Sequence, residues 1–124
     1  MYFKRSYSVK HVQNLYSGLC REQDVKSPHC YMTSRFTVEE GEVLFDIGCA
    51  EGNIALAHIE KAGRVVLFEC DEEWIEALNA TFAPWKEKVT IIPKLVSSHT
   101  HEATVSIGDF LKTFPHKPHF VKMD

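Results

Sequence analysis

Four alternating positions, Asp46, Gly48, Ala50 and Gly52, stand in the stretch "VLFDIGCAEGN" (43–53), and an acid, Glu69, follows 23 positions after Asp46. Glycines at Gly48 and Gly52 let a backbone turn approach a ligand closely, and a helix beginning behind them favours an anionic group such as a carboxylate. Asp46 does the reverse: it would repel a pyrophosphate and attract an ammonium. Glu69 closes a second apolar run, where nucleotide-binding α/β folds place the acid that accepts hydrogen bonds from ribose hydroxyls. A ligand with a carboxylate, an ammonium and a ribose diol is implied. S-adenosylmethionine has all three.

These residues need a parallel sheet to bring them together. Val43, Leu44, Phe45 and Ile47 form a nearly continuous apolar run, suited to a strand buried on both faces. Past Gly52, Asn53 caps a helix of about ten residues with Ala55, Ile59 and Ala62 on one side, ended by Gly63. "RVVLFE" is a second buried strand, and Trp74, Leu78 and Phe82 stripe the helix that follows it. Strand and helix alternating in this way imply parallel strands with crossovers. Val89 to Ile92 is a third strand that continues past Pro93 into Leu95 and Val96. "ATVSI" is a short, exposed-looking strand, Asp109 to Phe114 makes one or two helical turns, and "HFVKMD" is the fourth core strand. Ahead of the core, Val9, Val12, Tyr16 and Leu19 mark one face of a separate N-terminal helix that breaks before Ser27-Pro28. The fold class is α/β, a Rossmann-like parallel sheet with flanking helices. It divides into residues 1–40, a helix and connecting segment, and residues 41–124, the ligand-binding core.

Composition narrows the partners. With 44% hydrophobic and 25% charged residues, 124 residues suffice for one core. The formal charge of −3, from 17 acidic against 14 basic residues, and the lack of any Lys/Arg run beyond two exclude the footprint of a nucleic-acid binder. No apolar segment reaches the ~20 residues of a membrane span, and "MYFKRSYSVK" does not read as a signal peptide, so no membrane partner and a cytoplasmic location are expected. Cys20, Cys30, Cys49 and Cys70 make no C-x-x-C pair and read as reduced, with Cys70 in a packing role. His99 with His101 and His116 with His119 lack a Cys or carboxylate at ligand spacing, so no metal site is expected and these read as solvated loop residues.

"VLFDIGCAEGN" resembles the first motif of class I S-adenosylmethionine-dependent methyltransferases, and "RVVLFECDEEWIEALNATF" resembles their second. With "KLVSS", "SIGDFL" and above all "HFVKMD", the order is similar to that of the FkbM family, whose fourth strand ends in a Lys-x-Asp phrase normally continued by a glutamate and a glycine. "KSPHCY" resembles an N-terminal extension of some members. The resemblance implies that Asp46 lies near the methionine ammonium and that Gly48, Cys49, Ala50 and Glu51 lie along the amino-acid portion. It implies further that Gly52 and Asn53 lie at the helix start, Glu69 on the ribose, Cys70 and Asp71 beside it, Leu95 and Val96 against the adenine, and Asp124 at the transfer site. It also implies O-methylation of a small-molecule hydroxyl, on a sugar or secondary metabolite.

Ala50 replaces the usual middle glycine, adding one methyl group to the turn. The sequence stops at Asp124, short of the seven strands of the full sheet, so an incomplete core of about four strands and self-association through the exposed sheet edge are expected. No catalytic base is identified. His29 and Asp124 are the candidates, with a surface turn as the plainer role for His29. Two other classes stay open: a non-catalytic cofactor-binding or oligomerisation module, and a NAD-dependent oxidoreductase, which would require G-x-G-x-x-G without the preceding acid.

Overall fold

The computed structural model describes residues 1–31, 33–35 and 37–124. Helix α1 (Val9–Glu22) precedes strand β1 (Val43–Ile47), helix α2 (Asn53–His58), strand β2 (Arg64–Phe68), helix α3 (Glu72–Phe82) and strand β3 (Val89–Ile92). Strands β4 (Leu95–Val96) and β5 (Thr104–Val105), helix α4 (Ile107–Thr113) and strand β6 (Phe120–Met123) complete the chain. The main sheet is parallel throughout, in the order β3-β2-β1-β6. The apolar runs predict it: all five residues of β1 and four of five in β2 are buried, as strands covered on both faces require.

Residue parity assigns the two faces. Leu44, Val65 and Leu67 pack with Ala55, Ile59, Leu78 and Phe82 under α2 and α3, while Phe45, Val66 and Phe68 pack with Phe110 and Phe114 of and beside α4. Phe68 and Phe110 meet edge to face at 5.2 Å between centroids. Each such aromatic pair contributes about 0.5–1.5 kcal/mol beyond the area it buries. The order of strands reverses at β1, with β2 on one side and β6 on the other. In open α/β sheets that reversal leaves a crevice at the carboxyl ends of the strands.

Four expectations change. β3 ends at Ile92, and Leu95–Val96 leave the sheet to pair with Thr104–Val105 as a separate two-stranded ribbon. Pro93 cannot donate to a ladder, and the Lys94 N–H turns back to the Ile92 carbonyl at 2.8 Å. Within that ribbon Val105 is buried, so "ATVSI" is less exposed than its composition suggests. α2 has six residues instead of about ten; Ile59 and Ala62 are still buried, carried by the turns after His58. The N-terminal helix forms, but Val9 and Tyr16 are 75% and 58% exposed, and the partly covered face runs through Val12, Leu15, Gly18 and Leu19.

Candidate functional site

β1 delivers the chain into a turn with three left-handed residues, Gly48 (φ 66°), Ala50 (φ 45°) and Gly52 (φ 74°). For alanine that conformation costs on the order of 1 kcal/mol, so the replacement at Ala50 strains the backbone as well as adding a methyl group. Gly52 is required for a reason the sequence does not display. A Cβ there would stand 2.8 Å from Phe82 and 2.9 Å from Leu78, so its bare backbone lets α3 pack against the turn. At Gly48 a Cβ would meet the Asp124 carbonyl oxygen at 3.3 Å.

The expected anion cradle is largely closed by the protein itself. Gly48 and Cys49 N–H donate to the Phe68 carbonyl (2.9 and 3.3 Å), Gly52 N–H to the Cys49 carbonyl (2.7 Å), and Ala50 N–H to Glu69 Oε2 (2.8 Å). Gly52, not Asn53, is the N-cap of α2; Asn53 is its first helical residue and uses Oδ1 to accept from Ile54 N–H at 2.7 Å.

Glu69 ties the turn to the next helix. Its second oxygen accepts from Asp71 N–H at 2.8 Å, and Asp71 caps α3 by accepting from Glu73 N–H at 2.8 Å. Each carboxylate oxygen has two lone pairs, so Glu69 keeps capacity for further donors.

Asp46 lies in a different setting from the one expected. It is fully buried, and parallel register sets it beside Lys122, whose Nζ stands 3.3 Å from Oδ1 without the alignment of a hydrogen bond. Burial raises the Asp46 pKa above the ordinary carboxylate value, and Lys122 opposes that shift. The ammonium beside Asp46 thus belongs to the chain. Lys122 also donates to the Gly48 carbonyl at 2.8 Å, lies 3.7 Å from Asp124 Oδ2, and has the Tyr31 ring 5.4 Å away. Tyr31 donates its hydroxyl to Asp124 Oδ1 at 3.0 Å, and that bond, followed by burial, raises the phenol's pKa.

Two cavities flank this cluster. The larger, of about 410 Å³, lies between the turn and α1; the smaller, of about 140 Å³, lies over the ends of β2 and β4; Gly48 and Asp124 border both. The larger takes in Cys49, Ala50, Glu51 and Asn53 of the predicted residues, and the smaller takes in Glu69, Cys70, Leu95 and Val96. Asp46, Gly52 and Asp71 line neither: Asp46 and Gly52 are buried behind the surface, and Asp71 is exposed at the start of α3.

His11, Asn14 and Glu22 of α1, Gln23 at its C-cap, and Tyr31 and Lys122 of the "KSPHCY" and "HFVKMD" phrases have no predicted site role, yet all line the larger cavity. The available signal was the recurrence of His11, Asn14 and Glu22 on one side of α1, interleaved with Leu15, Gly18 and Leu19. Burial raises the Glu51 pKa and drives the Cys49 thiol far above its ordinary value, leaving Cys49 a neutral packing group. Cys70 is exposed, so its expected packing role does not hold, and none of the four cysteines is in a disulfide. His29 is exposed, lines neither cavity, and its backbone N–H is bound by Ser27 Oγ. Among the described residues, no three His, Cys, Asp or Glu side chains are grouped to hold a metal, and no helix is long and apolar enough to cross a membrane.

No protein-family model matches the chain, and no curated protein matches it in sequence. Solved structures match it in fold. The crystal structure of methyltransferase FkbM from Methylobacillus flagellatus KT aligns over 97% of this chain and 38% of its own, at 20% identity and a TM-score of 0.63. That of precorrin-6y C5,15-methyltransferase from Geobacter metallireducens GS-15 aligns over 78% of this chain and 48% of its own, at 13% identity and a TM-score of 0.52. The chain therefore spans less than half the length of either. The fold is the Rossmann-like α/β fold of these methyltransferases.

Proposed function

We propose that this chain, which has the methyltransferase fold, binds S-adenosylmethionine across the two cavities and serves O-methylation of a small-molecule hydroxyl, on a sugar or secondary metabolite. The observation that carries the proposal is the pair of adjoining cavities at the strand-order reversal, joined at Gly48 and Asp124 and supplied with carboxylates by Glu22, Glu51, Asp124 and Glu69. Such a field favours a sulfonium cation and disfavours the pyrophosphate of a dinucleotide, which counts against the NAD reading. The larger cavity falls within the about 300–1,000 Å³ of small-molecule sites.

Glu69 would hold the ribose diol with its remaining lone pairs, Leu95 and Val96 would face the adenine, and the turn with Glu51 and Asn53 would run along the methionine. The cofactor supplies an electrophilic methyl group. The chain's task is to align a hydroxyl with that group and to take its proton. Asp124, at the junction of the cavities and oriented by Tyr31, is the candidate acceptor of that proton. A reducing compartment such as the cytoplasm suits four cysteines outside any disulfide. The second edge of β6, where Val121 and Met123 are 49% and 68% exposed, supports self-association, which sedimentation velocity would detect as a dimer.

Calorimetric titration tests the cofactor. Micromolar affinity for S-adenosylmethionine, no heat with NAD, and at least tenfold weakening in Glu69→Gln are the expected results. Absence of binding by the folded chain overturns the proposal.

A further inference from the structure

Lys122 is a long cation almost wholly withdrawn from water, 7% exposed, and it touches three separate parts of the site. It neutralises Asp46 in β1, donates to the first carbonyl of the glycine turn, and stands beside Asp124 at the strand tip, with Tyr31 covering it. A buried ion pair is by itself weak evidence for stability, because desolvation offsets much of the attraction. The third contact is therefore the informative one. A parallel ladder already fixes β1 against β6, as Asp124 N–H donates to the Ile47 carbonyl at 3.1 Å. Past Ile47 the turn leaves the ladder. Its first carbonyl is then held by the lysine, while the N–H groups of Gly48, Cys49 and Ala50 are taken by Phe68 and Glu69 on the opposite side.

We propose that Lys122 is a positioning residue for the cofactor. Its ammonium occupies the place beside Asp46 where a ligand's ammonium was expected, and it pulls the Gly48 carbonyl toward β6, setting the shape of the turn that the methionine portion lies along. Asp46 then acts only through Lys122 and does not contact the ligand. The inference rests on the cofactor reading above, and its consequence is specific: removing the charge of Asp46 and removing the lysine have different effects on binding.

Three variants separate the two, each followed by calorimetry with S-adenosylmethionine and by amide hydrogen exchange. Asp46→Asn keeps the bond from Lys122 to Gly48 and is expected to bind within about threefold of the parent. The charge-balanced Asp46→Asn/Lys122→Met variant is expected to exchange its amides at 48–52 at least tenfold faster, with β2 and β3 as protected as before. Its Gly48 carbonyl carbon resonance is expected to shift, and its affinity to fall at least tenfold. Lys122→Arg retains the charge and is expected to recover part of that loss, which tests the assignment independently if the double variant does not fold. Loss of binding in Asp46→Asn, with the fold intact, overturns the proposal in favour of direct contact between Asp46 and the ligand. Unchanged exchange and carbonyl resonance in the double variant, or unchanged affinity despite a loosened turn, also overturns it. If the parent binds no S-adenosylmethionine, the cofactor reading fails, while the exchange and carbonyl data still decide whether Lys122 shapes the turn.

Discussion

The floor and the far wall of the larger cavity are built by different means. The floor, from the ends of β1 and β6, contains Cys49 and Lys122, with Asp46 beneath them, each under a tenth exposed. The wall is α1, which has no buried residue. It is fastened by the segment before it, through a part-buried bond from Tyr2 N–H to Thr81 Oγ1 at 2.8 Å and exposed ones from Lys4 Nζ and the Tyr7 hydroxyl to Glu73 at 3.3 and 2.9 Å. One surface of the site is thus fixed by burial in the sheet, where atoms have nowhere else to go, and the other mostly by exposed polar bonds that water competes for. Changes of similar size should be costly in the floor and mild in the wall.

The largest contrast is Lys122→Met alone, which leaves Asp46 buried without its cation and is expected to destabilise by about 3–5 kcal/mol in urea titrations at neutral pH. The sign with pH follows from the raised Asp46 pKa. A folded-state carboxyl above its unfolded value, 3.8, binds protons in preference to the unfolded chain, so its contribution is fully present below that value and lost as pH rises through the folded pKa. The deficit of the variant relative to the parent should shrink as the pH is lowered toward 3.8, and a pH-independent deficit would contradict this account.

Gly52→Ala comes next. Its methyl group meets Phe82 and Leu78 inside 3.0 Å at a left-handed φ, and a loss of roughly 2–4 kcal/mol is expected. The same substitution in the wall, Gly18→Ala, meets nothing within 4 Å and should stabilise by about 0.5–1 kcal/mol through helix propensity. Opposite signs for two glycine-to-alanine changes would sharpen the comparison; equal signs would break it. Ala50→Gly relieves the positive φ and should gain about 0.5–1 kcal/mol. The smallest effect is expected for Tyr7→Phe, whose exposed bond to Glu73 is removed with little change in the thermal midpoint, although the lowered Glu73 pKa should return toward its ordinary value in a titration followed by NMR.

Much of the floor is legible in the residues themselves. A nearly continuous apolar run bounded by turn residues suits a strand covered on both faces, and Gly48 and Gly52 mark the tight turn that follows it, whereas the left-handed backbone at Ala50 is seen only in the structure. The wall is less legible. The Val9 and Tyr16 stripe points to a helix packed on an apolar core, yet the face of α1 toward the cavity sets Leu15, Gly18 and Leu19 beside His11, Asn14 and Glu22, so hydrophobicity alone does not select it. The docking of Tyr2, Lys4 and Tyr7 onto α3 accompanies an orientation that turns Val9 and Tyr16 outward. The ribbon of β4 and β5 was hidden for a related reason: Pro93 permits either a bulged strand or an exit, and the choice depends on Thr104 and Val105, each nine residues beyond its partner in β4.

The sequence by itself determined the parallel core, the turn after β1 and the acid at the end of β2, because each is written in neighbouring residues whose periodicity or backbone freedom has few solutions. Tertiary structure alone decided which ammonium stands beside Asp46, why Gly52 is bare, and which side of α1 faces the cavity. Those outcomes depend on groups as far apart in the chain as Asp46 and Lys122 or Gly52 and Phe82. Contacts at that separation are set by strand register and helix packing, which no local pattern encodes.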